Sequence, residues 1–302
     1  MTDFSEQTRA IYHQQHMRVA SDQRAMDRFI NMFSEEYFGV PQGFFDNKKV
    51  LDAGCGDTVK LLIALYRLGC RDLHGVDLGD DFIPVAQESL DCQGVPKQAV
   101  HLGSATVLDL PYETGAFDFV SCHGVLLHLN NLGEVRQAFR ELARVTKQGG
   151  VLYTVYGVVG GLLEEAIFPA VREHYRNNAN FRAFIDTISP EHFAHLINLV
   201  EGGIREYEGE HVDLTWLHHA MDVDLAVTIQ NIIQAPVRLT VDEAMIRDMY
   251  AEAGFEPPRR LKRYVKRRNI RRFAVPLHFF REDEMVSLIY GSGNLEFIAI
   301  KT

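Results

Sequence analysis

Four residues in the first third of the chain have the types and spacing to hold a nucleotide. Asp52, Gly54 and Gly56 stand in Val50-Leu51-Asp52-Ala53-Gly54-Cys55-Gly56, and Asp77 ends Gly75-Val76-Asp77, 25 residues after Asp52. Gly54 lets a chain turn sharply off a strand, and Gly56 lets the backbone approach a ligand with no Cβ in the way. An acid at the tip of the next strand is placed to accept hydrogen bonds from two ribose hydroxyls. An apolar run, a glycine turn, a helical stretch and a second apolar run ending in an acid make up a βαβ nucleotide site, so an adenosine-containing cofactor is expected. A dinucleotide pattern needs a third glycine at position 59, where this chain has Val59, so NAD and FAD fall back.

The elements that must position these residues follow from periodicity. Met26, Phe29, Ile30 and Phe33 recur at helical spacing within residues 6 to 38, which are expected to be helical. Strands near 49–53, 72–77, 98–102, 117–122 and 150–155 alternate with helices near 59–69, 82–93 and 132–146, the pattern of a doubly wound α/β sheet. From 158 to about 235 the patterns are helical without strands. A capped helix begins at Thr240-Val241-Asp242-Glu243 and leads to Ala253-Gly254-Phe255, and Leu295-Glu296-Phe297-Ile298-Ala299-Ile300 reads as a final buried strand.

These residues resemble the class I S-adenosylmethionine-dependent methyltransferases, in particular the small-molecule branch similar to the ubiquinone-biosynthesis enzymes. Val50 to Gly56 looks like that family's first motif and Gly75 to Leu78 its second. Gly103-Ser104-Ala105 with Asp109-Leu110-Pro111 resembles the adenine loop, Phe117 to Val120 the fourth strand, and Arg144 to Gly150 the turn into the fifth. The chain departs from the family at Thr58 (usually glycine), Ser104 (often Asp) and Gln148 (usually proline). The resemblance implies a mostly parallel seven-stranded Rossmann-like sheet, with S-adenosylmethionine held by Asp52, Gly54, Cys55, Gly56, Asp77, Leu78, Ser104, Ala105 and His123. It also implies three regions. These are an N-terminal helical cap (1–48), a cofactor domain (49–157 and 236–302), and a helical substrate lid inserted after strand five (158–235).

Methyl transfer by in-line displacement draws much of its rate from alignment and needs no covalent intermediate, so the protein group to look for is a base that takes a proton from the acceptor. His123 and His128 follow the fourth strand, where ligands of open α/β sheets sit, and imidazole titrates in the useful range. Candidate acceptor contacts are Tyr12 and His16 near the N-terminus, with His13 beside them, and Trp216, His218 and His219 in the lid. A histidine satisfied by backbone hydrogen bonds, or a tryptophan packed inward, gives the same letters.

The chain has 302 residues, 46% of them hydrophobic, enough for one large domain with an insertion. It lacks an 18-residue apolar run and its first residues do not read as a signal peptide, so a soluble cytoplasmic protein is expected. The four cysteines lack C-x-x-C spacing, and His192-x-x-His195 lacks an acidic or thiol partner, so no metal site is expected. Residues 259–272 carry nine basic residues and no acid in a chain of net charge −10. Such a segment suits RNA, an acidic surface or, through a residue such as Arg268, a small anionic substrate; it also suits a solvated face paired with the chain's own acids. The acidic remainder favours a small anionic acceptor. An RNA or protein methyltransferase, and a cofactor-binding protein without catalysis, stand as alternatives.

Overall fold

The computed structural model describes residues 6–13, 23–158, 160–209, 211, 213, 232–261, 284–291 and 293–302. Their contacts divide the chain into two compact units, one of Met1–Gly157, Pro236–Arg263 and Asn294–Thr302, the other of Val158–Ala235 and Tyr264–Gly293.

The first unit is built on a seven-stranded sheet. Its strands are β1 (Lys49–Ala53), β2 (Asp72–Asp77), β3 (Val100–Ser104), β4 (Phe117–His123), β5 (Thr146–Val158), β6 (Arg259–Arg260) and β7 (Asn294–Ile300), in the order β3-β2-β1-β4-β5-β7-β6. The pairs β1/β2, β1/β4, β2/β3 and β4/β5 are parallel, whereas β6/β7 is antiparallel. The strand order therefore reverses between β1 and β4, and their carboxyl ends open a crevice suited to a ligand. This is the expected doubly wound, mostly parallel architecture.

Helices α1 (residues 6–13), α2 (Gln23–Ile30), α3 (Glu35–Phe38), α4 (Lys60–Arg67), α5 (Phe82–Cys92), α6 (Leu132–Val145) and α10 (Glu243–Glu252) belong to this unit. The expected helix over 6–38 is broken before α3, where the Ser34 side chain accepts from Tyr37 N and Gly39 ends the helix at φ 61°. Phe33, Phe38 and Phe45 then enter the sheet's own core, with the Phe38 ring 5.4 Å from Phe119 and 5.3 Å from Tyr153. Residues 23–48 thus share the core of the strands, and no boundary falls at residue 48.

Three further segments differ from expectation. β3 starts later than predicted because Pro96 leads into a tight turn at Lys97–Ala99 that buries Ala99. Lys147 to Gly150, expected as a turn, form an irregularity within a longer β5, where Gly149 takes a positive φ of 71° and the register with β4 shifts. The sixth strand is only Arg259–Arg260, with a separate bridge pairing Phe255 to Lys301.

The second unit contains a π-turn at Leu163–Ile167 and helices α7 (Phe168–Asn177), α8 (Ala179–Thr187), α9 (Pro190–Glu208) and α11 (Glu284–Tyr290). Ile185, Ile232 and Ile233 form its small core with Phe168, Val171 and Phe181 packed around them. α11 was expected to belong with the sheet; it falls in this unit because Gly161, at φ 78°, lies against the Gly291 backbone, where a Cβ would not fit. No helix among the described residues is long and apolar enough to cross a membrane.

α10 is tied to the sheet by Tyr250, whose buried hydroxyl bonds Thr154 Oγ1 of β5 at 2.9 Å and the Phe297 carbonyl of β7 at 3.2 Å. Tyr250→Phe is expected to cost about 1–2 kcal/mol, since it leaves buried partners unsatisfied. Thermal unfolding checks this: the variant should melt a few degrees lower, and an unchanged melting temperature would contradict the assignment.

Candidate active site

β1 and β2 run in register from Lys49↔Asp72 to Ala53↔Val76, so the glycine turn and Asp77 emerge side by side. Gly54 and Cys55 donate their N–H groups to the Val76 carbonyl at 2.7 and 3.0 Å. Gly56 N–H donates to Asp77 Oδ2 and Leu78 N–H to Asp77 Oδ1, both at 2.7 Å. A carboxylate offers about four acceptor positions, a chemistry that suits the two hydroxyls of a diol. Gly54 sits at φ 89°, and a Cβ there would drive into the Val125 side chain, so the turn leaves no room for a larger residue. Val59 adopts a left-handed φ of 41° where a glycine would be unstrained, so the backbone keeps the loop shape although the residue departs from the glycine pattern.

The third strand joins the same group. Ser104 is the register partner of Asp77, and Ala105 N–H donates to the Asp77 carbonyl at 2.9 Å. The following loop is pinned by α6, where Arg144 donates to the Leu110 and Tyr112 carbonyls at 2.8 and 2.6 Å and Glu141 accepts from Leu110 N–H at 3.1 Å. Arg144 also bonds Glu141 and holds its carboxyl below the usual range.

Asp52 lies beneath the turn, 2% exposed, facing its register partner Ser121, whose hydroxyl donates to it at 2.6 Å. Burial pushes its pKa up to about 7, with a smaller push from Asp77. Burial, reinforced by Asp77 and Asp52, also pushes the Cys55 thiol up, so it stays protonated. With the Asp57 and Asp77 carboxylates both acting on Cys55, the cleft opposes a pyrophosphate and favours a cation.

α1 contacts three of the loops at these strand ends. His13 Nδ1 meets Asp57 Oδ1 at 2.7 Å after β1, and Arg9 meets Asp81 at 2.9 Å after β2. After β4, the Tyr12 hydroxyl meets His128 Nε2 at 2.7 Å, while His128 Nδ1 meets the Val237 carbonyl at 3.0 Å. A carbonyl only accepts, so Nδ1 carries the proton and Nε2 accepts from Tyr12. Burial holds the His128 pKa down at about 4 and raises that of Tyr12, so the pair is neutral at pH 7. The Arg238 charge acts on both groups, and Gly157 makes room for it, since a Cβ there would stand 2.8 Å from the guanidinium.

Among the predicted site residues, Asp52, Gly54, Cys55, Gly56, Asp77, Leu78, Ser104 and Ala105 converge on one edge of the sheet, and Tyr12 and His128 meet each other. His123 is elsewhere in character, edge-on to Phe29 with ring centres 5.5 Å apart and near Phe33 and Tyr153 at 6.5 and 6.3 Å. His16, Trp216, His218, His219 and Arg268 lie outside the described residues. In the basic segment, Arg260 pairs with Glu243 at 2.8 Å and Arg259 donates to the Phe38 carbonyl, so these two hold the fold together. Sequence reasoning missed Asp57, Ser121, Arg144 and Arg238. Asp57 followed the glycines directly and was the most visible of these, whereas the other three are brought in by the fold.

Residues 51–154 match a family described as a methyltransferase domain. The match assigns these residues to the methyltransferase domain family. The cofactor of these enzymes, S-adenosylmethionine, fits this cleft, with a diol acceptor in Asp77, a glycine turn without space for a Cβ, and acids suited to a sulfonium. Curated relatives include an uncharacterised Haemophilus influenzae protein, 30% identical over 37% of this chain and 43% of its own length. A demethylmenaquinone methyltransferase of Bacillus mycoides is 30% identical over 34% of this chain and 41% of its own length. The chain thus spans less than half of either relative. A solved chain from the complex of the Haloferax volcanii Trm112 methyltransferase activator with its methyltransferase shares the fold, with a TM-score of 0.51, 12% identity, and 95% and 96% of the two chains covered.

Two predictions follow from this geometry. Asp77→Asn is expected to weaken S-adenosylhomocysteine binding by about 1–3 kcal/mol, through loss of charge-assisted bonds, and equal affinity in calorimetry would remove Asp77 from the site. For Asp52, the folded pKa stands above the unfolded one, so its contribution is full below the ordinary carboxylate range and declines as pH rises through about 7. Melting temperatures of the parent minus Asp52→Asn should therefore fall between about pH 4 and 7, and a flat difference would contradict it.

Proposed function

We propose that this chain transfers the methyl group of S-adenosylmethionine to a small anionic acceptor, with His128 and Tyr12 managing the acceptor's proton. The observation that carries this reading is the Tyr12–His128–Val237 chain of hydrogen bonds at the crevice edge, with the Arg238 charge acting on it. When bound, the cofactor supplies an electrophilic methyl that leaves its sulfur with the bonding pair retained by that sulfur.

Asp77 and the turn at Gly54 to Gly56 orient the nucleoside, and α1 closes over the loops and excludes water. Val237 fixes the His128 ring with its proton on Nδ1, so Nε2 presents the one lone pair able to take a proton. The acceptor's proton passes to the Tyr12 oxygen as Tyr12 hands its own proton to Nε2. Arg238 supplies positive charge for a carboxylate or phosphate on the acceptor, and this supports the anionic class. The low His128 pKa matches a base that stays unprotonated at neutral pH and is strengthened by an anionic neighbour. The demethylmenaquinone methyltransferase similarity supports a small-molecule acceptor.

The test is a panel of small carboxylates, phosphates, phenols and amines incubated with the protein and methyl-labelled S-adenosylmethionine. Transfer to an anionic member is expected, with the rate falling about 10²–10⁴-fold in His128→Ala and less in Tyr12→Phe while S-adenosylhomocysteine affinity stays within a few-fold of the parent. Labelling of RNA or protein instead, or a full rate in His128→Ala, would contradict the reading.

A further inference from the structure

The opposite ends of the strands carry a second cluster of chemistry-bearing side chains. β2 opens with Asp72-Leu73-His74, and the alternation of a strand puts Asp72 and His74 on one face. His101 of β3 is the register partner of His74. The two imidazole ring centres stand 4.7 Å apart with planes 30° from parallel. Asp72 Oδ1 lies 2.9 Å from His74 Nε2 and 3.8 Å from His101 Nε2, and one ligand atom from each residue falls within 4.8 Å of the others.

We propose that Asp72, His74 and His101 bind a divalent transition-metal ion of the zinc class. An ion with bonds near 2.0–2.1 Å to nitrogen and oxygen holds tetrahedral ligand atoms about 3.4 Å apart; the two distances to Asp72 Oδ1 bracket that value and the imidazole atoms lie within 4.8 Å of each other, so small side-chain rotations close the site. Two imidazole nitrogens and one carboxylate oxygen select zinc, cobalt, nickel or copper ions over magnesium or calcium, which favour all-oxygen sites. Three protein ligands leave a fourth position for water.

The surroundings fix the ligands. His74 is packed edge-on against Tyr112 and Phe117, with ring centres 5.5 and 5.1 Å away, so its orientation is set before an ion arrives. Lys49 Nζ lies 3.8 Å from the other Asp72 oxygen, Oδ2, which leaves Oδ1 turned to the imidazoles. His101 is exposed, which gives the ion a path from solvent.

The site lies at the starts of β2 and β3, whereas Asp77 and Ser104 of the cofactor cleft end the same strands. An ion here pins the edge strand β3 to β2 and acts on stability rather than on the reaction.

The experiment uses chelator-treated full-length protein, titrated with Co²⁺ by visible absorption and with Zn²⁺ by calorimetry. The parent should take up a single equivalent in the micromolar range, show a tetrahedral cobalt spectrum, and melt at a higher temperature with Zn²⁺. His101→Ala, at an exposed position, should lose that equivalent and the melting shift while binding S-adenosylhomocysteine as the parent does; Asp72→Asn should bind the ion more weakly. His195→Ala, which changes the one histidine pair with ligand spacing in α9, should behave as the parent. No binding below millimolar metal, or parent-like uptake by His101→Ala, would overturn the proposal.

Discussion

The cofactor cleft is organised around the Asp77 carboxylate and its carbonyl, which gather the ends of three strands. Oδ2 takes the Gly56 N–H from the β1 turn, Oδ1 takes the Leu78 N–H, and the carbonyl takes the Ala105 N–H after β3. Bonds to an ionised acceptor are worth about 1.5–3 kcal/mol each, enough to hold a glycine turn that is otherwise costly to order. The arrangement works only because β1, β2 and β3 are parallel and in register, so that each loop leaves the sheet on the same side. The same geometry brings Asp57 and Asp77 to the one turn around Cys55, and their negative charge favours a sulfonium ligand over a pyrophosphate.

Above this frame, α1 makes contacts of unequal weight. The Arg9–Asp81 pair is substantially exposed, 36% and 49% by side chain, and such pairs contribute little. The Tyr12–His128 pair is partly buried and continues into the Val237 carbonyl, and His13 meets the buried Asp57 at 2.7 Å, so these two contacts carry more of the hold. A helix held mainly by a few side-chain pairs can release for ligand exchange without unfolding the sheet, whose core is filled by Phe38, Phe45, Phe119 and Tyr153.

Much of the sheet was legible because its signals are local. Apolar runs bounded by glycine turns placed β1, β2, β4 and β7 within a few residues, and the acid ending Gly75-Val76-Asp77 marked the cofactor side. The misplaced segments were those where a local break outweighed periodicity, such as the turn at Lys97–Ala99 and the irregularity at Lys147–Gly150. Partners far apart in sequence were not legible, because only chain topology joins them: Ser121 with Asp52, Arg144 with the Leu110 carbonyl, Tyr12 with His128. For Arg259 and Arg260 the sequence left a binding surface and pairing with the chain's own acids both open, because it shows charge but not the Glu243 and Phe38 carbonyl partners that use it.

The central claim is that the crevice at the ends of β1, β2 and β4 takes S-adenosylmethionine, with its ribose on Asp77. Calorimetric titration of the full chain with S-adenosylhomocysteine, and with NAD in parallel, tests it most directly. The account predicts micromolar, single-site binding of the first and none of the second; binding of NAD, or of neither, would contradict it.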